Sequence, residues 1–74
     1  MEFYLPNAAP ARLTVVDASG REVAVLAAEP LAKGWHRIEW NLRDREDRQV
    51  PAGVYFARLQ AGSAATARKV LVIR

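Results

Sequence analysis

The chain has 74 residues, with 11 Lys+Arg against 8 Asp+Glu for a formal charge of +3, and no cysteine. That length suits one domain, residues 1–74, with a small core that buries about 60% of the extended chain's surface, and there is neither a disulfide framework nor a thiolate metal site to reinforce it. No apolar run approaches the roughly 20 residues that span a bilayer, Met1-Glu2-Phe3-Tyr4 is no signal peptide, and the basic residues are dispersed among the acids from Arg12 to Arg74 rather than gathered into a nucleic-acid patch.

Glu2 to Pro6 reads as a first short strand, because its extended run closes on a proline that cannot donate to a ladder. Asn7 to Pro10 reads as a connection, with Ala9 biased to extended geometry by the ring that follows. From Ala11 to Leu26, two alternating β-branched arms flank Asp17-Ala-Ser-Gly20, where Asp17 suits the first position of a type I turn and Gly20 the last. The result is an antiparallel hairpin. Leu13 and Val15 form the core face of its first arm, with Arg12, Thr14 and Val16 opposite. On the second arm Leu26 falls out of phase, at a bulge or at the strand's end.

Ala27 to Gly34 lacks periodicity and is broken by Pro30, so it reads as a segment crossing between parts of the sheet system. Trp35 to Trp40 alternates again, with His36, Ile38 and Trp40 inward and Trp35, Arg37 and Glu39 outward. Arg43 to Gln49 is wholly polar and reads as a solvated loop. Val50-Pro51-Ala52-Gly53 repeats the type I turn chemistry. Val54 to Gln60 is then a strong strand, with Tyr55, Ala57 and Leu59 on one face. Gly62-Ser63 turns the chain into a last strand, Ala65 to Ile73. Six or seven short strands with turn signals about every ten residues and no helical period describe an all-β antiparallel sandwich or barrel.

Chemistry is sparse. His36 is the only histidine and is placed for packing, and Ser19 and Ser63 are turn residues, so no nucleophile, base and orienting group can be assembled. Asp44, Glu46 and Asp47 are interleaved with Arg43, Arg45 and Arg48, which neutralise a potential calcium loop. The chain therefore reads as non-catalytic and without a cofactor or metal. Outward-facing Trp35, Arg37, Phe56 and Arg58 are the candidate partner-binding residues, since aromatic and arginine side chains are enriched at interfaces.

Four blocks, Leu13 to Leu26, Lys33 to Trp40, Val50 to Leu59 and Ala67 to Arg74, resemble the FlgD-like immunoglobulin-like domain and the related C-terminal sorting domains of the type IX secretion system. The resemblance implies an immunoglobulin-like β-sandwich at the C-terminus of a secreted, periplasmic or cell-surface bacterial protein, with a larger parent protein or complex and the export machinery as partners and no membrane insertion. It implies that Gly20, Gly53 and Tyr55 are fixed turn and core positions, to which turn chemistry and alternation add Asp17, Pro51 and Trp40 as structural residues. It also makes Lys69, Val70, Leu71, Val72, Ile73 and Arg74 a basic-hydrophobic sorting strand. After Trp40 the family carries an aspartate and a glycine, where this chain has Asn41-Leu42-Arg43. Two other functions fit the residues: a stand-alone docking subunit that uses a sheet edge or the Trp35/Phe56 face, and a small basic barrel that stacks single-stranded nucleic acid on Trp35 and Phe56.

Overall fold

The alternating β-branched runs, cut by Gly and Pro, form six strands and no helix in the computed structural model, which describes Met1–Arg74. They are β1 (Glu2–Leu5), β2 (Ala9–Asp17), β3 (Glu22–Leu31), β4 (Gly34–Arg37), β5 (Gly53–Ala61) and β6 (Ala64–Val72). All pairs are antiparallel: β1 with β4 in a two-stranded sheet, and β3-β2-β5-β6 in a four-stranded sheet. The sheets face each other across Phe3, Leu5, Leu13, Ala57 and Leu59. This is the all-β sandwich that the alternation predicts.

The short sheet covers only half of the long one. Beyond Arg37 the chain leaves β4, and the irregular segment that follows lays Trp40 and Val50 over a second cluster formed by Val15, Ala24, Tyr55 and Val72. Half-buried Leu26 and Val70 touch both clusters and join them. Ile38 and Trp40 thus serve the core as the alternation predicts, although only Gly34–Arg37 pairs as a strand.

Leu13 and Val15 are 0% and 1% exposed. Thr14 and Val16, expected on an open face, are buried too. Their strand is internal, and the longer side chains beside them shelter them: Arg58 and Val25 flank Thr14, while Phe56 and Glu22 flank Val16.

Two expectations are corrected in the first half of the chain. Asn7 to Pro10 is not all connection, since β2 already begins at Ala9, and Ala27 to Leu31 is strand rather than crossing segment. Prolines hid this continuity, but Pro10 and Pro30 lie opposite each other, a pair position that tolerates two residues without N–H groups. The register slips once between Leu13 and Thr14 and again between Val15 and Val16, leaving Leu26 and Val23 as the extra residues of β3. Of the two readings its phase break allows, a bulge or the strand's end, Leu26 is the bulge, and β3 runs on to Leu31.

The hairpin turn has the expected closure, with the Gly20 N–H donating to the Asp17 carbonyl at 2.9 Å and Gly20 at φ 87°. Asp17 Oδ1 accepts from the Ser19 N–H, the Ser19 hydroxyl and the Arg21 N–H. The same device recurs at Asp44-Arg45-Glu46-Asp47-Arg48. There Asp44 Oδ1 accepts from the Glu46 and Arg48 N–H groups, its carbonyl accepts from the Asp47 N–H, and Asp47 stands at φ 62°. The polar Arg43 to Gln49 stretch is therefore an ordered turn closed by an Arg43–Gln49 bridge. Asp47→Gly should relieve a left-handed conformation that costs an L-residue energy, raising stability by up to about 1 kcal/mol. A lower thermal midpoint would sink that expectation.

Both carboxylates are held below the usual aspartate range, Asp17 chiefly by the Ser19 hydroxyl bond and then the Arg21 N–H, Asp44 chiefly by the Arg48 N–H. A depressed folded pKa means stability that is present above the unfolded value, about 4, and is lost as pH falls through the folded pKa. Melting temperature should accordingly fall as the solution is acidified below about pH 4. The D17N/D44N variant should lose part of that slope; an unchanged slope would refute the assignment.

The second predicted turn lacks the closing hydrogen bond of the first. The Val50 carbonyl accepts from Arg74 Nε at 2.8 Å instead of from Gly53, so Val50 to Gly53 is an open bend tied to the end of the chain. After Trp40, the Asn41 side chain accepts from the Arg43 N–H, and Leu42 sits at φ 62°, where a glycine would be unstrained.

Candidate docking surfaces

Alternation along each strand decides which side chains reach solvent. On the two-stranded sheet, Phe3 and His36 point inward and stack at 5.4 Å, while the His36 Nε2–H donates to the Ala32 carbonyl at 2.7 Å. Tyr4 and Trp35 point outward and meet edge to face at 5.5 Å, with Trp35 76% exposed. Tyr4 has no signal in its local sequence, because only the β1–β4 register brings it to Trp35. Arg37, on the same outer face, pairs with Glu39 at 3.4 Å in full solvent, an interaction worth little.

Phe56 and Arg58 lie on the outer face of the other sheet, since their neighbours Tyr55, Ala57 and Leu59 fill its inner face. Trp35 and Phe56 are therefore on opposite sides of the sandwich. The single Trp35/Phe56 face is corrected to two surfaces, and one nucleic-acid strand cannot stack on both platforms. Phe56 is also half-buried, beside Val16 and Lys69.

The anchoring residues cluster at one end. Trp40 meets Tyr55 edge to face at 5.4 Å, its Nε1–H donates to the Arg43 carbonyl at 2.9 Å, and the Tyr55 hydroxyl donates to the Pro51 carbonyl at 2.7 Å. A tyrosine at a strand start bonding back to backbone four residues upstream is a corner device of immunoglobulin-like sandwiches. Nearby, Glu22 pairs with both Arg12 and Arg45, and the Arg45 N–H donates to the Val23 carbonyl at 3.1 Å, which ties the two aspartate turns together. No three His, Asp or Glu side chains converge as metal ligands.

The terminal strand divides by parity. Val70 and Val72 enter the core, whereas Lys69, Leu71 and Ile73 are exposed, Leu71 by 62% and Ile73 by 85%, and Arg74 folds its guanidinium back onto the Val50 carbonyl. Gly62, at φ 60°, occupies the first central position of the Gly62-Ser63 turn that leads into β6, as a type II′ hairpin requires. Between the open edge of β1 and the start of β6 runs a mainly apolar groove of about 450 Å³, with Phe3, Leu5, Pro6, Leu59, Ala61 and Thr66 among its walls.

With this geometry in hand, comparison shows that residues 1–65 match the family model described as the FlgD Ig-like domain. No curated protein matches the chain.

Proposed function

The chain belongs to the FlgD Ig-like domain family, a structural and non-catalytic one, and from that premise we propose that it is a C-terminal module that sorts, anchors or structurally caps a secreted, periplasmic or cell-surface bacterial protein. The observation that carries this reading is the terminal strand. Val70 and Val72 fasten it to the sandwich while Lys69, Leu71 and, just past its end, Ile73 face solvent, and Arg74 turns back to donate to the Val50 carbonyl. A basic-apolar strand held rigidly at a sheet edge suits recognition by another protein. Its larger parent would supply the activity, and the export machinery of a type IX system would be the reader.

The test is fusion of residues 1–74 behind a secreted reporter in a type IX-competent host. The reporter should reach the cell surface, and deletion of Ile73 and Arg74 should retain it in the periplasm. Retention of the intact fusion would overturn the sorting role.

A further inference from the structure

We propose that the free edge of β6 is a strand-acceptor site for an extended segment of another protein that carries two adjacent acidic residues. The proposal goes beyond export and does not rest on it.

Two sheets of this kind have four free edges, and three are blunted. β1 and β4 have four residues each, and β1 runs into Pro6. β3 carries two register shifts and Pro30. Bulges, prolines and short lengths are the usual means of preventing strand addition. β6 has none of them: all nine of its residues pair with β5 in unbroken register, with no proline. The two-residue turn makes Ala61–Ala64 the first hydrogen-bonded pair. Thr66, Arg68, Val70 and Val72 therefore turn their N–H and C=O groups to β5, while Ala65, Ala67, Lys69 and Leu71 present theirs to the open edge.

Charge selects the occupant. Beyond Asp47 the chain contains Arg48, Arg58, Arg68, Lys69 and Arg74 and no acid. Arg58, Arg68 and Lys69 take part in none of the ion pairs. Arg68 lies on the inner face of β6 and Lys69 on the outer, so neighbouring acids on an added strand would meet one each. Flanking β-branched residues would lie beside Thr66 and Val70 within and Ala67 and Leu71 without. A second copy of this chain is the wrong partner, because antiparallel β6–β6 pairing centred there sets Arg68 against the other copy's Arg68 or Lys69 against its Lys69.

The experiment follows backbone amide exchange in the isotope-labelled chain with a blocked hexapeptide, Val-Thr-Glu-Glu-Thr-Val, and its counterpart Val-Thr-Lys-Lys-Thr-Val. With the acidic peptide at low salt, the amides of Ala67, Lys69 and Leu71 should gain protection of about tenfold, while those of Thr66, Arg68, Val70 and Val72 should not change. Ala67→Pro, which removes only an edge N–H, should weaken binding about tenfold, and R68E/K69E should transfer the preference to the lysine peptide. Equal binding of both peptides, protection outside this alternating set, no binding at millimolar peptide, or self-association through β6 would each overturn the proposal.

Discussion

Leu13→Ala is expected to remove a large share of the domain's stability and to lower its urea midpoint sharply. Its side chain is 0% exposed at the centre of the internal strand, between Phe3 and Leu5 of one sheet and Ala57 and Leu59 of the other. Removing a fully enclosed leucine loses the transfer energy of its methyl groups and leaves a cavity, together about 3–5 kcal/mol. A chain of this length has a total stability of roughly 4–11 kcal/mol. Urea unfolding followed by Trp40 fluorescence would measure the loss. Ile73→Ala is the control, since its 85% exposure predicts almost no change. A Leu13→Ala midpoint close to that of Ile73→Ala would mean that the sheets do not pack as described.

Tyr55→Ala should be comparably damaging, at about 3–5 kcal/mol, for a reason that its partner variant separates. The Tyr55 ring is 5% exposed and holds the edge of Trp40, while its hydroxyl fastens the Pro51 carbonyl. Tyr55→Phe keeps the ring and removes only the hydrogen bond. Pro51 is exposed, so water can replace the lost donor, and the loss should be about 1 kcal/mol. The near-ultraviolet signal of Trp40 should survive in Tyr55→Phe and collapse in Tyr55→Ala. Equal damage from both variants would transfer the role from packing to the corner bond.

The sequence shows its local geometry well. Asp17 and Gly20 specify their turn through side-chain acceptance and a left-handed φ, and Leu13, Val15, Tyr55, Ala57 and Leu59 declare a core face by strict alternation. The FlgD Ig-like resemblance has the same source, since its blocks are these turns and strands. What could not be read is what depends on distant neighbours. Thr14 and Val16 are buried because β3 and β5 flank them, and Trp35 and Phe56 separate because they belong to different sheets. The turn at Asp44 was hidden for another reason: Asp47 fills the position where glycine would have announced it. Prolines misled at Ala27 to Leu31, where Pro10 and Pro30 face each other in a non-hydrogen-bonded pair that calls on neither N–H.

The pairing of β1 with β4 has a kinetic consequence. The hairpins β2–β3 and β5–β6 close over turns of three and two residues, whereas joining Leu5 to Gly34 encloses everything between them. Closing that longer loop in the open chain costs about 2 kcal/mol more in chain entropy than closing the first hairpin. Once β2 and β3 set Ala9 opposite Leu31, only Pro6 to Ala8 and Ala32 to Lys33 remain to be spanned, so the two-stranded ribbon should dock after that hairpin and come away before it. Phe3→Ala would then chiefly accelerate unfolding, whereas Leu13→Ala would also slow folding. Chevron plots with equal folding-limb shifts for both variants would refute this order. Until the ribbon docks, the half of the inner face around Leu13, Ala57 and Leu59 stays open to water, and the time spent in that state sets how long the nascent domain is vulnerable to aggregation.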